Sequence, residues 1–150
     1  MSLRHLATAL FATASISLAP AAHAKTYEQS VGVIELVSVY DGDTIKLNIK
    51  GWPAIIGHEI NIRVNGVDTP EIRGYECARE DTLGDEAKAF TQQFVQRGQI
   101  TLHNLQRDKY FRILADVKVD GVLLSNALID AGLAYEYYGG KKKSWCSGEI

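Results

Sequence analysis

The apolar positions of this chain change period as it runs, and each change marks an element. Val31 to Tyr40 is rich in β-branched residues and reads as a strand. Asp41-Gly42 is a hairpin turn signal. Beyond it Ile45, Leu47 and Ile49 alternate with Lys46, Asn48 and Lys50, which predicts a second strand with one apolar face; Gly51-Trp52-Pro53 ends it. In a third strand Ile60, Ile62 and Val64 alternate with Asn61, Arg63 and Asn65, so Arg63 falls on the face away from the core. Thr69 to Asp81 is a polar loop. Leu83, Ala87, Phe90 and Phe94 then recur at helical spacing, with Thr82 as the expected N-cap, Asp85 three residues on, and Gly98 as the expected C-cap. Ile100, Leu102 and Leu105 suggest a fourth strand. After a charged turn at Arg107-Asp108-Lys109-Tyr110, Ile113, Ala115, Val117 and Val119 form a fifth. Asp120-Gly121 leads into a short helix carrying Leu124, Ala127, Leu128 and Ala131, stopped at Gly132. A tail with Tyr135, Tyr137 and Tyr138 follows, then Lys141-Lys142-Lys143 before Trp145-Cys146.

The order β-β-β-α-β-β-α predicts an α+β, mainly β fold: a five-stranded OB-fold barrel, with an open α+β sheet as the alternative. The 150 residues suffice for one compact domain, and no repeat or linker divides them. The N-terminus stands apart. Arg4-His5 precedes an apolar run from Leu6 to Pro20, and Ala22-His23-Ala24 has an A-x-A cleavage pattern. The run is shorter than the roughly 20 residues of a membrane span. Residues 1–24 are therefore expected to be a cleaved signal peptide and 25–150 the mature domain, secreted or periplasmic; an uncleaved anchor is the alternative. Cys77 and Cys146 are the only cysteines. In an oxidising compartment they are expected to pair, with two free thiols as the alternative. Zinc is disfavoured, since two cysteines without nearby histidines make no four-ligand site.

Charge narrows the function less than it first suggests. Sixteen Lys and Arg against eighteen Asp and Glu is not the composition of a general nucleic-acid coat protein. A few arginines in a cleft are still compatible with local phosphate binding, because charges act over only about 8–10 Å in salt. Candidate chemistry gathers around Arg63 to Glu71. Asp43, Asp68 and an oxygen of Thr69 would form a hard, incomplete donor set suited to calcium or magnesium. Glu71 beside it would take a proton from water. Arg63 and Arg112 would supply two guanidinium forks for one phosphate. Each also has an ordinary reading: a turn, a polar strand end, a loop glutamate or a surface arginine. The Lys141–Lys143 run reads most simply as a solvated tail.

Together these residues resemble a known family. Asp41-Gly42-Asp43-Thr44, Arg63, Val67-Asp68-Thr69-Pro70-Glu71 and Asp108-Lys109-Tyr110-Phe111-Arg112 closely resemble the staphylococcal nuclease (thermonuclease) family. So does the stretch from Asp120-Gly121 through Asn126-Ala127-Leu128 to Gly132-Leu133-Ala134. The resemblance implies an OB-fold and calcium-dependent cleavage of DNA and RNA phosphodiester bonds that leaves 3′-phosphate ends. Position by position, Asp43 and Asp68 match the calcium carboxylates and Thr69 the residue lending its carbonyl oxygen. Glu71 matches the proposed general base, and Arg63 and Arg112 the phosphate-binding arginines. Lys109 and Tyr110 match contacts to a terminal nucleotide phosphate, and Tyr138 a base-stacking tyrosine. The implied partner is a nucleic acid substrate; a monomer with no membrane association after signal cleavage is expected. Three departures stand out. Phe111 replaces a frequent glycine, and a positive φ there would strain it and move Arg112. The tail is too short for a full third helix after Ala134. The founding enzyme lacks the cysteine pair, so a disulfide would take over that helix's support. The rival reading is a non-catalytic OB-fold nucleic-acid-binding module, whose signature is a missing Glu or Arg; none is missing here. A third is an envelope-associated protein that meets an anionic surface through Lys141–Lys143.

Overall fold

The computed structural model describes residues 31, 34–108, 110 and 112–147; the expected signal peptide, Lys109 and Phe111 lie outside the described residues. Strands β1 (Ile34–Val39) and β2 (Thr44–Ile49) form an antiparallel hairpin around Asp41–Asp43, and β2 pairs antiparallel with β3 (Ile60–Val64). Strand β3 runs parallel to β6 (Ile113–Val119), which pairs antiparallel with β5 (Ile100–Arg107), for a sheet order of β1-β2-β3-β6-β5. Val31, just ahead of β1, bridges to Leu102 of β5 through two backbone hydrogen bonds of 2.8 and 3.2 Å. That bridge brings the sheet's two outer strands together and curls it in the manner of an OB-like α+β fold.

The alternation seen in the sequence is the alternation of burial. Ile113, Ala115, Val117 and Val119 of β6 are buried while the residues between them are half-exposed. Ile45, Leu47, Ile62 and Leu102 are fully enclosed, as are Leu124 and Leu128 of helix α3 (Leu124–Asp130). Each such side chain contributes about 1.5–3 kcal/mol of transfer free energy. Helix α2 (Ala78–Val95) closes the core with Ala87, Phe94 and Val95.

The expected helix caps are corrected. Helix α2 begins at Ala78, with extended Cys77 as its N-cap, so Thr82 lies inside it and its hydroxyl donates to the Ala78 carbonyl at 3.1 Å. Glu80 and Asp81 sit in the first turn, where carboxylates favour the positive end of the helix dipole. The helix stops at Val95, with Gln96 as its cap, rather than at Gly98. Gly98 lies under the Asp120 carboxylate, which accepts the Gln99 amide at 2.9 Å; a Cβ at Gly98 would overlap it.

Four short elements carry no visible period in the sequence: helix α1 (Ala54–Gly57) and strands β4 (Val67–Asp68), β7 (Val122–Leu123) and β8 (Tyr135–Glu136). Asp120 and Gly121, at φ 48° and 86°, make a hairpin turn from β6 into β7 before α3 starts. Strand β8 returns from α3 to pair with β4, Asp68 opposite Tyr135. The tail beyond it runs without a helix to Cys146, which is disulfide-bonded to Cys77 with 6.0 Å between the Cα atoms. Among the described residues no helix is long and apolar enough to cross a membrane.

Candidate active site

Three elements lock the Asp41–Asp43 turn. The Thr91 hydroxyl of α2 donates to the Gly42 carbonyl at 2.6 Å. A Cβ on Gly42 would lie 2.8 Å from both Ala87 Cβ and Thr69 Cγ2, so only glycine lets the turn sit against the helix and the Thr69 loop. The Asp43 carbonyl accepts the Val64 amide at 2.8 Å, fastening the turn to β3. Gly42 thus has a packing role beyond the turn its sequence announced.

These contacts bring the expected metal residues together. The Asp43 Oδ2 atom accepts the Thr69 amide at 3.0 Å, and its Oδ1 accepts the Thr44 hydroxyl at 3.1 Å. Asp43, Asp68 and Thr69 are only 5%, 3% and 3% exposed. Asp41 is also buried, and its Oδ1 accepts the Asp43 amide at 3.1 Å. Arg63 does leave the core face, yet it is no surface residue. Its Nη1 lies 2.5 Å from Asp43 Oδ2, and its Nη2 donates to the Val67 carbonyl at 2.8 Å and reaches Asp68 Oδ1 at 3.4 Å.

Burial wins over this pairing. It pushes the Asp43 carboxyl from 3.8 up to about 6, against the pull of Arg63 and with a further push from Asp41. Asp68 is also raised by burial, opposed chiefly by a hydrogen bond and the charge of Lys142. Buried carboxylates held at such a cost fit a cation site. Among the described residues no three acidic, histidine or cysteine side chains close a cage by themselves. With a Thr69 oxygen, the Asp43 and Asp68 carboxylates would offer hard donors to be completed by water and phosphate, a chemistry that suits calcium or magnesium.

Glu71 is carried on a backbone anchored from below. The buried Glu80 carboxylate accepts the Glu71 amide at 3.4 Å and the Glu76 amide at 2.7 Å. Gly84 of α2 packs so near that a Cβ would lie 2.8 Å from the Glu71 carbonyl oxygen. The Glu71 side chain meets Lys142, whose Nζ lies 2.7 Å from Oε1 and 2.9 Å from Asp68 Oδ1. The expectation that the lysine run is a solvated tail therefore fails for Lys142: two carboxylates hold it, and although partial burial works the other way they raise its pKa further. Glu80 did not stand out in the sequence, and Lys142 did so only as one member of the Lys141–Lys143 run. A signal for Lys142 existed, since pairing Cys77 with Cys146 draws the lysines towards the Glu71 loop.

The opposite wall is the β5–β6 hairpin. Asp108 orders it by accepting the amides of Tyr110 and Arg112 at 2.8 and 2.9 Å through Oδ1. Its Oδ2 takes Arg112 Nε and Nη2, both at 2.7 Å. Slight burial notwithstanding, these bonds hold Asp108 below the usual carboxylate range. The Arg112 guanidinium lies 5.4 Å from the centre of the Tyr110 ring.

Asp43, Arg63, Glu71, Tyr110, Arg112 and Tyr138 all line one cavity of about 1050 Å³. Asp68 faces an adjoining cavity that shares Thr69, Glu71 and Lys142 with the first. Tyr138 is 82% exposed at the rim, with its ring against Gly66. Lys109, the remaining expected contact, is outside the described residues.

Comparison with known proteins finds two endonucleases among the relatives of this chain. Endonuclease YncB of Bacillus subtilis (strain 168) is 33% identical over 119 residues, which cover 77% of this chain and 53% of YncB. The SPbeta prophage-derived endonuclease YokF of the same strain is 32% identical over 108 residues, 70% of this chain and 34% of YokF. The chain thus spans about half the length of one relative and about a third of the other. Residues 61–146, more than half of the chain, match the family described as staphylococcal nuclease homologue, and they run from β3 through Glu71 and Arg112 to Cys146. The chain belongs to the staphylococcal nuclease homologue family.

Proposed function

We propose that the protein is a calcium-dependent nuclease that hydrolyses DNA and RNA phosphodiester bonds and leaves 3′-phosphate ends. One observation carries this reading: Asp43, Arg63, Glu71 and Arg112, from separate parts of the chain, face one open polar cavity with exposed Tyr110 and Tyr138 on its wall. The cavity suits a chain of phosphates and bases rather than a compact apolar ligand. Calcium, where bound, would be held by Asp43, Asp68 and the Thr69 carbonyl, and would supply positive charge to place and polarise the scissile phosphate.

The chain's own residues account for the rest. Glu71 orients a water and takes its proton as the water oxygen attacks phosphorus in line. The P–O5′ bond breaks, the 5′ oxygen leaves and takes up a proton, and the phosphate stays on the 3′ side. Arg63 and Arg112 donate to the phosphoryl oxygens as negative charge gathers there, which stabilises the transition state more than the ground state. Lys109, Tyr110 and Tyr138 hold the flanking nucleotide. The Cys77–Cys146 bond supports an oxidising compartment, and we place the mature protein outside the cytoplasm, acting as a monomer.

The test is incubation of mature protein with single-stranded DNA and RNA, in calcium and in chelator, from neutral to alkaline pH. Calcium-dependent cleavage with 3′-phosphate ends is expected. Binding without cleavage, unchanged by Arg112→Ala, would instead identify a non-catalytic module.

A further inference from the structure

The candidate calcium residues already have a cationic neighbour from their own chain. Lys142 Nζ bonds Asp68 Oδ1 at 2.9 Å and Glu71 Oε1 at 2.7 Å. Its side chain lines both cavities and stands between the arginine-walled pocket and the one that Asp68 faces. Flanking Lys141 and Lys143 make no ion pair among the described residues, so the contact belongs to one lysine and not to the basic run as a whole.

This placement is built. The chain leaves β8 through Gly139 and Gly140, at φ 109° and 90°, conformations that turn it back towards Glu71 at little steric cost. Trp145, 3% exposed, stacks on Tyr135 with ring centroids 3.9 Å apart. Tyr135 is the partner of Asp68 across β8 and β4, so the anchor of the tail and the carboxylate are adjacent. Cys146 then fixes the tail to Cys77 at the start of α2, and Arg79 donates to the Ser147 carbonyl at 3.4 Å.

We propose that Lys142 is a further residue of the site: a tethered cation, steadied by Glu71, that competes with a divalent ion for Asp68 and so sets the site's calcium affinity, with the Cys77–Cys146 disulfide holding it in range. The inference rests on the calcium reading above. A tethered group competes at the effective concentration its tether allows, on the order of millimolar for a short flexible linker, and a second anchor keeps it there. Each occupant weakens the other by the same factor. The lysine thus makes the protein a low-affinity calcium binder, selective for calcium-rich surroundings, and loss of the disulfide releases that restraint.

Calorimetric titration of calcium into the full disulfide-bonded mature protein, without nucleic acid, tests this. Lys142→Met keeps the apolar stem and removes the charge. It is expected to tighten calcium binding about fivefold or more, the lower end of typical couplings, while Lys142→Arg stays near wild type. Mere structural damage would loosen binding, so the direction of the change is diagnostic. Cys77→Ala/Cys146→Ala should tighten binding when Lys142 is present and add nothing in the Lys142→Met background. Calcium binding to wild type that Lys142→Met leaves equal or weaker would overturn the inference and leave the calcium reading standing. No calcium binding by either protein would overturn both.

Discussion

Replacing Asp43 with asparagine should stabilise the metal-free protein while abolishing its chemistry. The carboxylate is 5% exposed, and burial raises its pKa from 3.8 to about 6 even with Arg63 at 2.5 Å. Between those values the folded chain holds a proton that the unfolded chain has lost. Stability is therefore fully present below the unfolded value, falls as pH rises through the folded one, and stays lost above it. Two pH units at about 1.4 kcal/mol each set a ceiling of about 3 kcal/mol on the cost at pH 7. The contacts of the Asp43 side chain explain why the gain falls short of that ceiling. In Asp43→Asn the amide oxygen can still accept from Thr69 N or Thr44 Oγ1, but Arg63 loses a charged partner. A net gain of roughly 1–2 kcal/mol at pH 7 remains. Urea denaturation from pH 4 to pH 8 in chelator measures it, and the advantage should shrink towards zero near pH 4. Calcium should reverse the order, since at one hundred times its dissociation constant a ligand stabilises only the protein that binds it, by about 3 kcal/mol. A variant less stable than wild type at pH 7 without calcium, or an advantage independent of pH, would refute the reasoning.

The remaining predictions concern what holds the site together. Cys77→Ala/Cys146→Ala opens a loop with a sequence separation of 69 residues, and in the chain-entropy model it should cost about 4 kcal/mol, read from the urea midpoint against the oxidised wild type. Gly42→Ala puts a methyl group 2.8 Å from Ala87 Cβ and Thr69 Cγ2; it should cost about 1–3 kcal/mol by overpacking and weaken calcium binding together with stability, followed by urea denaturation and calcium titration of the same variant. Arg63→Lys keeps the charge and loses the fork, and should lower kcat by about 10²–10³ with a smaller change in KM, checked by steady-state cleavage of a labelled oligonucleotide.

The long elements were legible in the sequence because their burial is periodic. Ile45, Leu47 and Ile49, and later Ile113 to Val119, alternate in the chain as they do between core and surface. The expected N-cap at Thr82 went astray because the polar residues ahead of it already belong to the helix: Glu80 turns its carboxylate back to the Glu71 and Glu76 amides, a use that depends on the loop folding over it. Two-residue strands such as β4 and β8 have no period to detect, yet their pairing sets Asp68 against Tyr135. Of the candidate site, the residues that bear chemistry were recognisable by type and order. Those that position them, Gly42, Glu80, Thr91 and Lys142, act across the fold, and composition gives such contacts no local signature.

That division follows from how the site is assembled. Asp43, Asp68 and Arg63 are largely buried, and each loop of the site is fastened from outside itself: the Gly42 turn to α2 through Thr91, Asp68 to the tail through β8, and Glu71 to the start of α2 through Glu80. Helix α2 and the tail are themselves joined by Cys77–Cys146. Strain on one of these three loop fastenings should therefore move a carboxylate relative to the others, and a cation held between them would bind less tightly. The disulfide closes this circuit between the tail and α2, and the tail it ties down carries Lys142 onto Asp68 and Glu71. If Lys142 competes with calcium as proposed, support and restraint of the site rest on the same covalent bond, and a change that removes it should separate them: stability falls while calcium affinity rises.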